Sequence, residues 1–196
     1  MKVVAVSQRV DHYPDRHETR DALDRNMVIW LRAAGYLPYP VPNALFSESE
    51  ITVWLDRLKP CGLVLSGGND VGGNRGRDFT EEMMMTYAER RNLPLLGICR
   101  GMQMMAHWAG GSLHPVQSHI KTRHRLVGEM AGDVNSYHGF SLATCPEEFD
   151  VLSRSEDGEI EAIRHQSLPW EGWMWHPERE AEFASKDIQR LKALFL

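Results

Sequence analysis

Two short segments hold residue types at spacings that can perform nucleophilic chemistry. In Leu93-Pro94-Leu95-Leu96-Gly97-Ile98-Cys99-Arg100-Gly101-Met102-Gln103, an apolar run ends at Gly-x-Cys-x-Gly and a helical pattern follows. This is the strand–nucleophile–helix elbow with Cys in the place of Ser. The turn is tight, so its flanks favour residues without a Cβ, and the nucleophile is thrust clear of the sheet. A thiol at a helix N-terminus also feels the positive end of the dipole, which favours the thiolate.

A thiolate nucleophile needs a base and a group to orient that base. Trp175-His176-Pro177-Glu178 supplies both types. Pro177 biases His176 toward extended backbone, where residues two apart share a face. Glu178 could then hold one imidazole nitrogen while the other addresses the thiol. Alone, His-Pro-Glu reads equally well as a surface turn; beside the cysteine elbow it reads as its partner.

The remaining reactive types carry less. His107, His114, His119, His124 and His138 are numerous, but His119 and His124 are five apart, not the four that places two ligands on one helix face. No metal site is expected from them. His138 is compatible with either a pocket wall or a satisfied structural role. Met83-Met84-Met85 and Met102, Met104 and Met105 read as helix packing. Trp173 and Trp175 share a strand face and read as core. Cys61 and Cys145 lack flanking glycines and read as inert.

The elements that must position these residues follow from periodicity. Strands are expected at Lys2–Ser7, Leu37–Val41 (a proline-rich edge), Gly62–Leu65 and Leu93–Ile98. Between them lie helical patterns over Arg20–Ala34 closed by Gly35, from Ser47 (with Glu50, a capping box) through Leu58, and from Thr80 through Arg91. A further helix covers Met102–Ala109. Asp70–Asp78 reads as a mobile surface loop. Beyond residue 112 the helical alternation stops, and hairpins added to the main sheet are expected, with strands at Val151–Leu152, Ile160–His165 and Gly172–Trp175. Ser185–Phe195 closes the chain as an amphipathic helix. Strand–helix alternation of this kind predicts an α/β fold around a mostly parallel sheet, with residues 1–196 as a single domain.

Composition excludes several classes. The 22 Lys and Arg against 27 Asp and Glu leave a formal net charge of −5, which argues against nucleic-acid binding. No apolar run reaches the roughly 18 residues of a membrane span. The four apolar residues Val3–Val6 are too few for a signal-peptide core. Three widely spaced cysteines point to a reducing, cytoplasmic setting.

With these residues in view, the chain resembles the class I glutamine amidotransferase superfamily. Gly97-Ile98-Cys99-Arg100-Gly101-Met102-Gln103 and His176-Pro177-Glu178 carry the resemblance, with Ser66-Gly67-Gly68 and Val134-Asn135-Ser136-Tyr137-His138. It implies a flavodoxin-like fold, Cys99 as nucleophile, His176 as general base and acid, and Glu178 as orienter. It also implies an oxyanion hole from the backbone N–H groups of Gly68 and Arg100. Gln103 and Asn135–Tyr137 match positions that hold the ends of a glutamyl group, with His138 beside them.

The implied reaction is cleavage of a γ-glutamyl amide through a thioester, with no cofactor. Met174 and Gly139-Phe140 depart from the usual residues of amidotransferases, and the 196 residues hold nothing more that could use released ammonia. The γ-glutamyl hydrolase branch is therefore the nearer resemblance, with a glutaminase subunit serving a separate synthetase as the alternative. A homodimer is left open. Val6-Ser7-Gln8-Arg9-Val10-Asp11, Glu18–Asp24 and Pro40-Val41-Pro42-Asn43 look similar to hydrolases of bacterial capsule clusters. That likeness makes γ-glutamyl-CDP-amidate the leading substrate, and Arg9, Arg16, Arg20, Arg75 and Arg77 candidates to hold its diphosphate by bidentate contacts.

Overall fold

The computed structural model describes residues 1–196. Five parallel strands form one half of a nine-stranded sheet: β1 (Lys2–Val6), β4 (Tyr36–Pro40), β5 (Gly62–Leu65), β6 (Leu95–Ile98) and β13 (Trp170–Trp173). Their spatial order is β4-β1-β5-β6-β13, the flavodoxin-like arrangement that reverses direction between β1 and β5. Beyond β13 the sheet turns antiparallel through β12 (Ile160–His165), β11 (Phe149–Ser155), β8 (Ile120–Gly128) and β9 (Gly132–Tyr137). The expected hairpin extension is thus present, and Val151–Leu152 lies inside a longer strand. Two small two-stranded sheets stand apart: β7 (Leu113–Pro115) with β10 (Phe140–Leu142), and β2 (Arg9–Tyr13) with β3 (Glu18–Ala22).

Helices cover both faces because β1, β5 and β6 are buried on both sides. One apolar cluster joins Ile51 and Leu55 of α2 (Glu48–Leu58), Met84 and Met85 of α3 (Arg75–Arg91), and Met102 and Met105 of α4 (Arg100–Trp108) to Leu63, Leu65 and Leu95. The opposite cluster joins Met27, Trp30 and Leu31 of α1 (Arg25–Ala33) and Leu191 of α5 (Ser185–Leu194) to Val64, Leu96, Trp173 and Trp175. The methionines of α3 and α4 and Trp173 and Trp175 pack into the core, as expected, and the two tryptophans stack with ring centroids 5.4 Å apart. No helix is long and apolar enough to cross a membrane.

The last parallel strand lies at Trp170–Trp173, two residues before the expected Gly172–Trp175, and two other boundaries differ more. Residues 20–22, assigned from the sequence to the first helix, belong to β3 of an exposed hairpin, and the helix starts only after Asp24, whose carboxylate accepts from Asn26 N at 2.9 Å. The hairpin packs too little apolar surface to leave a hydrophobic period. α3 begins at Arg75, capped by Asn74, rather than at Thr80; Thr80 is buried inside the helix with its hydroxyl donating to Gly76 O at 3.0 Å. Half of the expected mobile loop is therefore helix.

Candidate active site

The elbow forms where β6 hands over to α4. Cys99 sits between them at φ +50° and ψ −106°, a region that costs a non-glycine residue about 1–3 kcal/mol. Its amide donates to Trp173 O at 2.7 Å, and its carbonyl accepts from Gln103 N at 3.1 Å, so the strain is held by the sheet on one side and the helix on the other. The bare flanks are obligatory. A Cβ on Gly97 would lie 2.6 Å from Gly101 C and Met105 Sδ, and one on Gly101 would overlap the Leu65 carbonyl.

His176 follows β13, the strand beside β6, so parallel pairing sets the histidine next to the cysteine. Its Nδ1 lies 2.7 Å from Glu178 Oε1, with both side chains buried. Asn135 locks the histidine backbone from both sides: His176 N donates to Asn135 Oδ1 at 2.9 Å, and Asn135 Nδ2 donates to His176 O at 2.8 Å. Burial disfavours the charged ring. The Glu178 carboxylate and then Cys99 outweigh it by charge and hydrogen bonding, lifting the pKa to about 9. Gly67, in the loop after β5, completes the contact, since a Cβ there would meet His176 Cε1 at 2.7 Å.

The loop Ser66–Gly68 is held by a group the sequence placed elsewhere. Arg77 lies on α3, fully buried, and donates to the carbonyls of Ser66 (2.6 Å), Gly67 (3.0 Å) and Gly68. In a trans peptide the N–H points opposite the C=O. Binding the Gly67 carbonyl therefore turns the Gly68 N–H away from Arg77. Glu81, one turn on, takes Arg77 Nε at 3.1 Å, pairs with Arg100, and accepts from Ser7 Oγ at 2.7 Å. Arg100 also pairs with Asp78. Burial lowers the pKa of both guanidinium groups, and the adjoining carboxylates counter it. This network ties the ends of β1 and β5 to the first residue of α4. The Arg77–Glu81 spacing of four was its only sequence signal.

Of the arginines expected to meet a diphosphate, Arg77 is thus corrected to a buried structural role. Arg20 lies on β3, paired with Glu18 and over the Tyr13 ring, and Arg16 lies in the hairpin turn. Arg75 starts α3. Arg9 does line a cavity of about 250 Å³, together with Ser66, Gly67, Gly68, Asp24, Glu178 and Arg179. Arg179, which the sequence reading missed, also lies over the Tyr137 ring at 4.9 Å. A larger hollow of about 620 Å³ along α2, lined by Tyr39, Val53 and Trp54, contains none of these groups.

The other expected binding residues are engaged with the protein. Gln103 Nε2 donates to Phe140 O at 2.9 Å, and Ser136 Oγ donates to His119 O at 2.6 Å. Asn135 serves His176. Tyr137 stands edge-on to the His176 ring, centroids 5.7 Å apart, and is partly exposed. His138 joins His119, His124 and Glu161 in a buried cluster, a convergence that helix-based spacing did not anticipate. Cys61 and Cys145 are free, and burial raises both thiol pKa values.

Comparison with known proteins agrees with this architecture. The glutamine amidotransferase class-I family matches residues 21–194. The gamma-glutamyl-CDP-amidate hydrolase of Campylobacter jejuni subsp. jejuni serotype O:2 is 34% identical over 98% of this chain and 96% of its own length. The gamma-glutamyl-gamma-aminobutyrate hydrolase of Escherichia coli (strain K12) is 28% identical over 79% of this chain and 78% of its own. The crystal structure of a GMP synthase component from Thermoplasma acidophilum superposes with a TM-score of 0.73 at 19% identity, covering 100% of this chain and 93% of that one. A parallel sheet carrying a cysteine elbow, matched by the family over nearly the whole chain, makes this protein a member of the class-I glutamine amidotransferase family.

Proposed function

We propose that this protein hydrolyses the γ-glutamyl amide bond of a nucleotide conjugate, with γ-glutamyl-CDP-amidate the leading substrate, in the decoration of a surface polysaccharide. The observation that carries the reading is the strained Cys99 elbow beside the buried His176–Glu178 pair. The near full-length likeness to the Campylobacter hydrolase supports the choice of substrate.

Glu178 accepts the Nδ1 proton, so His176 Nε2 addresses the thiol. The Cys99 thiolate attacks the γ-carbonyl carbon, and the oxyanion is taken by the N–H groups of Gly68 and Arg100. His176 then gives its proton to the leaving nitrogen as the C–N bond breaks, leaving a glutamyl thioester and the free amidate. Water, deprotonated by His176, attacks the thioester; the C–S bond breaks, and glutamate leaves with the thiolate and imidazolium restored. Arg9 and Arg179 in the adjoining cavity would face a diphosphate.

Glutamate release by the purified chain alone tests this, with L-glutamine, γ-glutamyl-γ-aminobutyrate and γ-glutamyl-CDP-amidate side by side. Preference for the nucleotide conjugate is expected. No release from any of them with Cys99 reduced would overturn the reading in favour of a glutaminase that needs its synthetase. Arg9→Ala should raise KM for the nucleotide conjugate about tenfold, the order of one charge-assisted contact, and leave the γ-aminobutyrate conjugate nearly unaffected.

The imidazole predicts a pH dependence. In the folded chain His176 keeps its proton to about pH 9, against 6.5 for an unperturbed histidine. Its charged form therefore stabilises the fold fully below pH 6.5, and that contribution is lost as the pH rises through 9. The melting-temperature gap between the wild type and His176→Asn should narrow across that window. Glu178→Gln removes the first of the influences that raise the pKa, so the alkaline limb of the rate profile should move down from about 9. A limb that stays in place would count against the assigned pairing.

A further inference from the structure

We propose that His119, His124, His138 and Glu161 form a structural zinc site behind the active-site wall. The four ligand atoms lie within 4.8 Å of one another, and the carboxylate is fully buried. Glu161 Oε1 is 3.2 Å from His124 Nε2, 3.3 Å from His138 Nε2 and 3.6 Å from His119 Nδ1, and the last two nitrogens are 3.1 Å apart. A tetrahedron with metal–ligand bonds of 2.0–2.1 Å has edges of about 3.3–3.4 Å. Four of the six edges are already close to that length.

The outward nitrogens show why a cation belongs inside. His119 Nε2 lies 2.9 Å from the Asp157 carboxylate, and His138 Nδ1 lies 3.0 Å from the Phe140 carbonyl. Each of these acceptors requires the proton on the outward nitrogen. The inward nitrogens, His119 Nδ1 and His138 Nε2, then point at each other across 3.1 Å, with the Glu161 carboxylate beside them. Such a set repels itself in a dry interior, and a divalent cation turns every one of those atoms into a ligand. The carboxylate and carbonyl behind these two imidazoles are also the usual support around zinc. Four protein ligands, three of them nearly inaccessible, leave no open position, which marks a structural rather than a catalytic site.

Backbone geometry explains how two histidines five apart come to face one point. In a regular strand they would lie on opposite faces. The β8–β9 register shifts between Ile120 and Thr122, where Lys121 adopts φ +56°. This bulge adds one residue and brings His119 and His124 to the same side. The site then clamps the β8–β9 hairpin onto Glu161 of β12. It also adjoins the proposed active site, because Phe140 O is shared by His138 and Gln103 and β9 carries Asn135.

Elemental analysis of the full-length protein, purified with zinc and dialysed against metal-free buffer, should find about one zinc per chain. His124→Ala and Glu161→Gln should each lose most of it, and Asp157→Asn should weaken retention about 10–100-fold. Cobalt-loaded wild type, which needs no variant to fold, should show the intense visible bands of tetrahedral coordination. Chelator should lower the melting temperature and zinc restore it. Metal-free wild type, an octahedral cobalt spectrum, or full occupancy in both ligand variants would each overturn the proposal. None of these readouts depends on glutamate release, so the proposed substrate and the metal site stand or fall separately.

Discussion

Cys99→Ala is expected to reduce glutamate release by on the order of 10⁴-fold or more, the scale of losing a covalent nucleophile whose base is then left idle. The fold should survive. Alanine keeps the Cβ and bears the same positive φ, and the lost sulfur is a small part of an almost fully buried residue. A second readout separates the intended effect from damage. Cys99 is one of the groups that lift His176 to about 9, so the variant's imidazole should titrate lower while its thermal melt stays close to wild type. Unchanged release would sink the whole nucleophile assignment, whatever the melt showed.

Glu81→Gln is expected to produce the largest loss of stability among single polar replacements. Glu81 is fully buried against Arg77, Arg100 and Ser7, and neutralising it leaves the desolvated Arg77 with only neutral loop partners and Arg100 with Asp78. Breaking a buried pair from one side costs about 3–5 kcal/mol. In a chain of this size that should lower the melting temperature by about 10 °C or more. Urea midpoints should fall with an unchanged slope if the folded and unfolded surfaces are unaltered. The surviving folded protein should also be slow, because Arg77 holds the Ser66–Gly68 carbonyls and through them the Gly68 N–H. Wild-type stability would show that the network is solvated and would remove Arg77 as the positioning residue for that loop.

These two residues mark the division between what was legible and what was not. Cys99 could be read because everything defining its elbow is local: an apolar strand, two glycines within two residues and a helix immediately after. His176 and Glu178 could be paired because a spacing of two keeps them within reach of each other, although Pro177–Arg179 form a 3-10 turn after His176 and not the extended run expected from the sequence. Helix caps at Ser47 and Gly35 were readable for the same reason, each being satisfied within one turn. Arg77 was assigned to a loop because the helix start at Asn74 carries a polar, glycine-bearing first turn with no apolar period. The last residues of β3, Arg20–Ala22, were merged into the following helix because the strand's exposed side chains carry no burial pattern.

By itself, then, the sequence determined the alternation of strands and helices, the parallel half of the sheet, the thiol at its elbow and the histidine–carboxylate pair. All of these depend on interactions spanning a few residues, which propensity, periodicity and turn sterics encode directly. Only the tertiary structure decided that His176 stands beside Cys99 through the pairing of β13 with β6, and that Arg77, Glu81 and Arg100 close beneath the loop after β5. It likewise decided that a one-residue bulge swings His119 onto the face of His124, where His138 and Glu161 meet them. Such contacts join residues up to 77 positions apart in the chain, from Cys99 to His176, or depend on a single inserted residue. They are set by strand register and burial, which only the folded chain expresses.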